Sequence, residues 1–244
     1  MDVPRGTIIK RAFLEAGLQP DEQAVSRFLL YNDLLVETNR SVNLTAITEF
    51  EEVVTKHFLD SCMLFADRPE IFEPEGPLRF ADVGTGAGFP GLPLKILRPE
   101  IRLTLIDSLR KRVDFLEETV ETLGLSDVEC VHARAEEAGR APELREQFDV
   151  AVSRAVARLS VLSEYVLPFV RENGLFIAYK SGEAEEELKD AEHAILTLGG
   201  KVEKVSVFTL PGTEHRRSLI YIRKTARTPE KYPRRAGKPE KSPL

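Results

Sequence analysis

The segment FADVGTGAGFPG, from Phe80 to Gly91, sets Gly84, Gly86 and Gly88 directly after a short apolar run. Glycines placed after a strand let the chain turn sharply and let a ligand touch its backbone. The chemistry this implies is nucleotide binding, and two ligand classes compete for it. Gly86, Gly88 and Gly91 satisfy GxGxxG, and Asp107 follows roughly 20 positions later, where a dinucleotide-binding carboxylate would hold a ribose. Against a pyrophosphate stands Asp82, just before the first glycine, whose negative charge would repel phosphate. A sulfonium and an ammonium, the cations of S-adenosylmethionine, suit acidic neighbours better, so Asp82, Asp107 and Glu136 favour a methyl donor.

Further candidates fall at the ends of other apolar runs. Asp107 closes LTLID, where its carboxylate can accept from both ribose hydroxyls or simply cap the next helix. Ser108 and Leu109 follow it and can flank an adenosine. HARAEE places Ala135 and Glu136 beside an adenine, with a solvated Glu136 the bland alternative. Arg154 ends FDVAVSR, positioned to hold substrate or cofactor or to pair with Glu136 or Asp82. Lys180 and Ser181 in YKSG are placed to touch an acceptor. His57 is the natural candidate for a base, although a single His on an amphipathic helix more often packs; no general base and no other catalytic group is assigned.

The elements that must position these residues come in two styles. The opening stretch, Met1 to Pro20, carries no diagnostic pattern. Asp21 to Asn39 has Val25, Phe28, Leu29, Leu34 and Leu35 at helical spacing. The capping box Thr48-x-x-Glu51 announces another helix bearing Val53, Val54, Phe58, Cys62 and Phe65. Asn39 to Thr48 reads as an ordered loop; with Asn43, Lys56 and His57 it is expected to wall an acceptor pocket. Pro69, Pro74, Gly76 and Pro77 mark a linker, which puts a boundary near residue 77.

Beyond it, apolar runs at Arg79 to Val83, Arg102 to Ile106, Val128 to Val131, Phe148 to Val152 and Leu175 to Tyr179 alternate with amphipathic stretches such as Leu109, Val113, Leu116, Val120 and Leu123. This βαβ alternation predicts an α/β fold with a mostly parallel sheet. An acidic helix from Glu183 to Leu198 precedes runs at Lys201 to Thr209 and Ser218 to Arg223, joined by a turn that includes Arg216 and Arg217. An antiparallel hairpin at the sheet edge is a common ending in S-adenosylmethionine-dependent methyltransferases and an unusual one for a dinucleotide-binding Rossmann domain. The expected organisation is a helical extension over 1–77, a Rossmann-like class I methyltransferase domain over 78–225 and a basic arm over 226–244.

Composition bounds the rest. With 244 residues, 42% hydrophobic and 30% charged, the chain is globular and is neither a disordered tail nor a disulfide scaffold. No apolar run nears the roughly 18 residues of a membrane span. The opening MDVPRG has no basic and apolar leader pattern, so a cytoplasmic location is expected. Cys62 and Cys130 read as reduced packing residues, and without a CxxC or His partner they make no zinc site. The net charge of −6 hides an asymmetry. From Arg223 to Leu244 eight basic residues face Glu230 and Glu240, so this stretch carries +6 and the chain from Met1 to Ile222 carries −12. Four prolines and Gly237 in it predict an arm that is extended or disordered until bound. Its Lys231, Arg234 and Arg235 are candidates for phosphate contact, or merely solubilising.

Taken together, NLTAIT, KHFLDS, DVGTGAGFPGLPLKI, DSLRKRVDFLEE, SRAVA, YKSG and TPEKYPRRAGKPEKSPL resemble the small-subunit (16S) rRNA guanine-N7 methyltransferase G family, also called glucose-inhibited division protein B. The resemblance runs from about residue 30 to the C-terminus. It implies a monomeric bacterial enzyme that moves a methyl group from S-adenosylmethionine to N7 of one guanine in 16S rRNA near the decoding region, and a link to streptomycin susceptibility. The cofactor contacts it implies are Gly84, Phe89, Asp107 with Ser108 and Leu109, Ala135 with Glu136, and Arg154. The RNA contacts expected are Asn43, His57, Lys180, Ser181, Arg216, Arg217 and the arm cations. Two other readings stay open: a small-molecule methyltransferase, and a non-catalytic nucleotide-binding module of the NAD class.

Overall fold

The computed structural model describes residues 3–73, 76–182 and 184–244. Pro74 of the expected linker and Glu183, the expected start of the acidic helix, lie outside the described residues.

The N-terminal third is helical. Helix α1 (Arg5–Glu15), for which the sequence offered no signal, buries only Ile9 and Phe13, one turn apart. In α2 (Glu22–Asn39) the Asp21 carboxylate accepts from the Ala24 N–H at 2.7 Å and starts the helix as expected. The next helical run has three parts: α3 (Phe50–Val53), a π-helical stretch (Val54–Leu59) and α4 (Asp60–Asp67). The Thr48 capping box does not form. Glu49 occupies the cap without a side-chain hydrogen bond, so Glu51 falls at the second helical position rather than the third that a reciprocal box needs. A short 3₁₀ turn, Pro69–Phe72, leads out.

Strands and helices then alternate: β1 (Arg79–Val83), α5 (Gly91–Leu97), β2 (Arg102–Asp107), α6 (Arg110–Thr122), β3 (Val128–His132), α7 (Ala135–Ala138), β4 (Phe148–Arg154), α8 (Leu159–Val166), β5 (Val170–Ser181), α9 (Glu185–Thr197), β6 (Gly200–Thr209) and β7 (Arg216–Lys224). The seven strands form one sheet in the order β3-β2-β1-β4-β5-β7-β6. Strands β1 to β5 pair in parallel, and β7 runs antiparallel to both β5 and β6. This is the mostly parallel sheet ending in an antiparallel hairpin that the sequence predicts. Strand order reverses between β1 and β4, and that switch point opens a crevice at the carboxyl ends of the strands.

The central strands are apolar on both faces, and successive residues feed opposite cores. Phe80, Leu105, Val152, Ile177 and Tyr221 pack with α1 to α6, whereas Ala81, Ile106, Ala151, Phe176 and Ile222 pack with α8 and α9. The helices before residue 77 therefore share a core with the sheet. Tyr31 Oη donates to the Ala87 carbonyl and Tyr179 Oη to that of Ser61 at 2.8 Å.

The basic arm is not the mobile segment its prolines and charge suggested. Arg145 donates to the carbonyls of Thr228 and Tyr232, both at 2.8 Å, and Arg140 to that of Pro233 at 2.8 Å. Tyr232 is buried, Arg234 grips the buried Glu164, and the arm ends in one helical turn, α10 (Lys238–Lys241). Proline and glycine removed regular structure there, and side chains of the body satisfy the exposed carbonyls instead.

Candidate functional site

Two cavities open along the carboxyl edge of the sheet. The first, about 280 Å³, lies over the ends of β1, β2 and β4 and the turn after β3. Gly84, Gly86 and Gly88 adopt φ of 72°, 63° and 99°, so the turn after β1 needs residues without a Cβ. At Gly84 the approach is also close: a Cβ would stand 2.6 Å from Val156 Cγ2. The Gly84 and Thr85 N–H groups donate to the Ile106 carbonyl at 2.8 and 3.1 Å, which ties the turn to β2.

Asp107, 3% exposed, links the two sides of this cavity. Its Oδ2 accepts from the Gly86 N–H and its Oδ1 from the Leu109 N–H, each at 2.9 Å. A carboxylate offers about four lone-pair sites, so acceptors remain for ligand hydroxyls. Of the two roles raised by the sequence, hydroxyl acceptor is geometrically open to it, whereas the N-cap of α6 is Leu109 and the Asp107 carboxylate instead tethers the glycine turn. Gly84, Asp107, Ser108, Ala135 and Glu136 line the cavity; Asp82, Gly86, Gly88, Phe89, Leu109 and Arg154 do not. Leu109 caps α6 and is 51% exposed.

Asp82 does not face the ligand as its position beside the glycines suggested. It is fully buried beneath the glycine turn, where Oδ2 accepts from Thr85 Oγ1 at 2.7 Å and the Gly91 N–H at 2.8 Å while Oδ1 has no partner. Burial lifts its carboxyl to about 7, against the opposing pull of those hydrogen bonds. It organises the turn and presents no charge to the cavity. The carboxylates that do are Asp107, Glu136 and Glu240, and Glu240, from the arm, was missed because nothing local in the sequence connects it to the glycines. Three carboxylates against Arg112 and Arg134 give a set of hydrogen-bond acceptors that fits a ribose diol and the cations of S-adenosylmethionine.

The second cavity, about 360 Å³, is walled by the π-helical stretch, α4 and the ends of β4, β5 and β7. Arg154 sits in it. The pairing expected with Glu136 or Asp82 does not form; the partner is Asp60, whose Oδ2 receives Arg154 Nη1 at 3.1 Å and Arg217 Nε at 3.3 Å. Arg154 Nη2 meets His57 Nδ1 at 3.1 Å, and the guanidinium lies 5.1 Å from the Phe89 ring centre. Phe89 is thus a platform for His57, stacked at 4.4 Å, and for Arg154.

A guanidinium can only donate, so His57 Nδ1 accepts, the proton sits on Nε2, and Nε2 donates to Thr45 Oγ1 at 2.8 Å. Burial, then the Arg154 charge, depresses His57 to about 3, which keeps it neutral. Thr45 and Asp60 went unassigned in the sequence, although both lie in the quoted segments NLTAIT and KHFLDS. Lys180 donates to the Ala157 carbonyl at 2.7 Å and to Glu187 at 2.8 Å, and Lys180, Ser181, His57 and Arg217 all line this cavity.

Asn39, Asn43 and Arg216 line neither cavity. Asn39 accepts from the Leu44 and Thr45 N–H groups at 2.8 and 2.9 Å, so it folds the loop rather than walling a pocket. Asn43 on that loop is exposed and lines neither cavity. Arg216 and Arg217 open β7 instead of lying in the turn. On the arm, Lys231, Arg234 and Arg235 line a shallow basic concavity with Arg140 and Lys238, with the Arg234 guanidinium already committed to Glu164.

The cavities meet at Ala155, which lines both and holds a left-handed φ of 58°. Such backbone strain in a non-glycine residue concentrates at functional sites.

Among solved structures, TrmN from Thermus thermophilus aligns with a TM-score of 0.50 at 18% identity, over 70% of this chain and 53% of its own; this likeness shows the fold alone. Sequence relatives reach further. The ribosomal RNA small subunit methyltransferase G of Lactobacillus johnsonii is 49% identical over 237 residues, covering 97% of this chain and 98% of that protein. The protein of the same name from Alkaliphilus metalliredigens is 50% identical over the same shares. The family model described as rRNA small subunit methyltransferase G matches residues 24–219, a span that takes in both cavities except for the arm. A match over that much of the chain, with relatives near half identity end to end, makes this protein a member of the rRNA small subunit methyltransferase G family.

Proposed function

We propose that this chain transfers the methyl group of S-adenosylmethionine to N7 of a guanine in the 16S rRNA of the small ribosomal subunit, acting as a cytosolic monomer. The observation that carries the reading is the junction at Ala155, where a cavity suited to the methyl donor opens into a second one lined by Arg154, Lys180, Ser181 and Arg217. The relatives' names supply the small-subunit rRNA. In the first cavity Gly84, Asp107 with Ser108, and Ala135 with Glu136 hold the donor; Arg154 acts from the second cavity, backed by the Phe89 ring.

When bound, S-adenosylmethionine supplies an electrophilic methyl group on a sulfonium. Guanine N7 has an in-plane lone pair and no proton, so the transfer needs no general base. The neutral His57, with both its ring nitrogens engaged, is in keeping with that. What the chain contributes is position. Orientation of two reactants can supply on the order of 7 to 11 kcal/mol of acceleration. The A-form major groove is too narrow for a protein pocket, so the guanine must be splayed out of a loop or single strand, at a cost of a few kcal/mol. Arg217, Lys180 and Ser181 receive it. Asn43, Arg216, Lys231 and Arg235 extend the contact to neighbouring phosphates, which offsets the negative charge carried by the chain before Arg223.

The test uses small subunits from cells lacking the gene, purified enzyme and S-adenosylmethionine labelled on the methyl group. Label should enter 16S rRNA at one guanine whose product undergoes borohydride and aniline scission, the signature of N7 methylation. Label at a base nitrogen that resists scission would overturn the N7 assignment, and no incorporation into rRNA with methylation of small molecules would favour the alternative reading.

A further inference from the structure

The docked arm does more than pack. Gly237 N–H donates to Glu136 Oε1 at 2.9 Å, and Gly237 and Glu240 line the first cavity together with Tyr165 of α8. We propose that residues 234–241 form the outer wall of the methyl-donor cavity and that the Glu240 carboxylate accepts a hydrogen bond from the exocyclic amine of the adenine. This deepens the proposed function and rests on S-adenosylmethionine being the ligand.

The placement follows from connected contacts. In the donor pose proposed above, Asp107, at the end of β2, takes the ribose, and Ala135 and Glu136, just past β3, take the base. Gly237 is bonded to Glu136, so the turn of helix that begins there, with Glu240 on it, stands at the base side. Glu136 has one oxygen committed to the Gly237 N–H. An ionised carboxylate can only accept, and adenine presents there a donor, its amine, where hypoxanthine presents an acceptor oxygen. Glu136, Glu240 and Tyr165 line the same cavity.

The wall is built before the ligand arrives. Tyr232 and Pro239 are buried, Arg234 pairs with Glu164 at 2.5 Å, and Arg140 and Arg145 hold the chain between them by its carbonyls. A preorganised wall costs little ordering entropy on binding. Sequence order hid this role, since Glu240 belongs to the C-terminal arm and Asp107 to the second strand.

The experiment measures binding of S-adenosylhomocysteine and S-inosylhomocysteine by calorimetry to the wild type and to Glu240→Ala. Glu240 is exposed on a terminal turn, so its replacement leaves the fold intact. Loss of a hydrogen bond to a charged group should weaken S-adenosylhomocysteine about tenfold or more in Glu240→Ala, with S-inosylhomocysteine changed less than about twofold. Unchanged S-adenosylhomocysteine affinity in Glu240→Ala, or equal losses for the two ligands, would overturn the assignment. A wild-type chain that binds neither would instead overturn the methyl-donor reading beneath it.

Discussion

Arg234 is where a docked arm and a mobile one give opposite answers. Its guanidinium meets Glu164 through Nε at 2.9 and 3.1 Å and Nη2 at 2.5 Å, and its backbone N–H adds a fourth contact at 2.7 Å. The Glu164 side chain is 1% exposed and that of Arg234 20%, so the pair is screened little by solvent. Arg234→Met keeps the apolar stem and the backbone hydrogen bond but strands a buried carboxylate. Removing one partner of a buried pair costs about 3 to 5 kcal/mol, and the lower end applies here because the backbone N–H remains. In a chain of this size that is a fall of about 6 to 12 °C in Tm. Urea denaturation of Arg234→Met, Glu164→Gln and the double variant closes a cycle. The double variant should recover much of the loss, giving a coupling of about 2 kcal/mol, because no charge is left unpaired. A change within about 0.5 kcal/mol for Arg234→Met, the usual effect of a surface substitution, would refute the docked arm.

Asp107→Ala should weaken S-adenosylhomocysteine by about 1.5 to 3 kcal/mol, read by calorimetry, and unchanged affinity in the folded variant would remove Asp107 from the site. Among the turn glycines, Gly88→Ala should destabilise far more than Gly86→Ala. A Cβ at Gly88 would stand 2.4 Å from Leu92 Cδ1 and 2.7 Å from Tyr31 Oη, whereas one at Gly86 meets nothing within 4 Å and leaves only the left-handed strain of about 1 to 2 kcal/mol; the reverse order in urea denaturation would refute the geometry. For His57 the folded chain stays neutral down to about pH 3 while the unfolded chain protonates near 6.5, so its contribution is complete above 6.5 and is lost as pH falls through that window. Asp82, raised from 3.8 to about 7, acts with the opposite sign: its contribution is complete below 3.8 and is lost as pH rises toward 7. The stability difference between wild type and His57→Gln isolates the histidine, and it should shrink by about 1.4 kcal/mol per pH unit on acidification below 6.5; a pH-independent difference would show that His57 takes up its proton in the folded state too.

By itself the sequence determined the alternation of strands and helices, the glycine turn after β1 and the placing of Asp107, Arg154 and Lys180 at strand ends. These are local properties: apolar spacing, turn chemistry and chain order act over short stretches and survive in any tertiary context that satisfies them. Tertiary structure alone decided which charges meet. Asp60 became the partner of Arg154 across 94 positions, Glu136 reached Gly237 across 101, and Glu164 pinned an arm that composition described as free. It also decided which charges count. Asp82 and Asp107 read alike in the sequence, but one is sealed under the glycine turn while the other lines the cavity above it. Burial and hydrogen-bond partners depend on what the rest of the chain packs against a residue, and no local pattern encodes that.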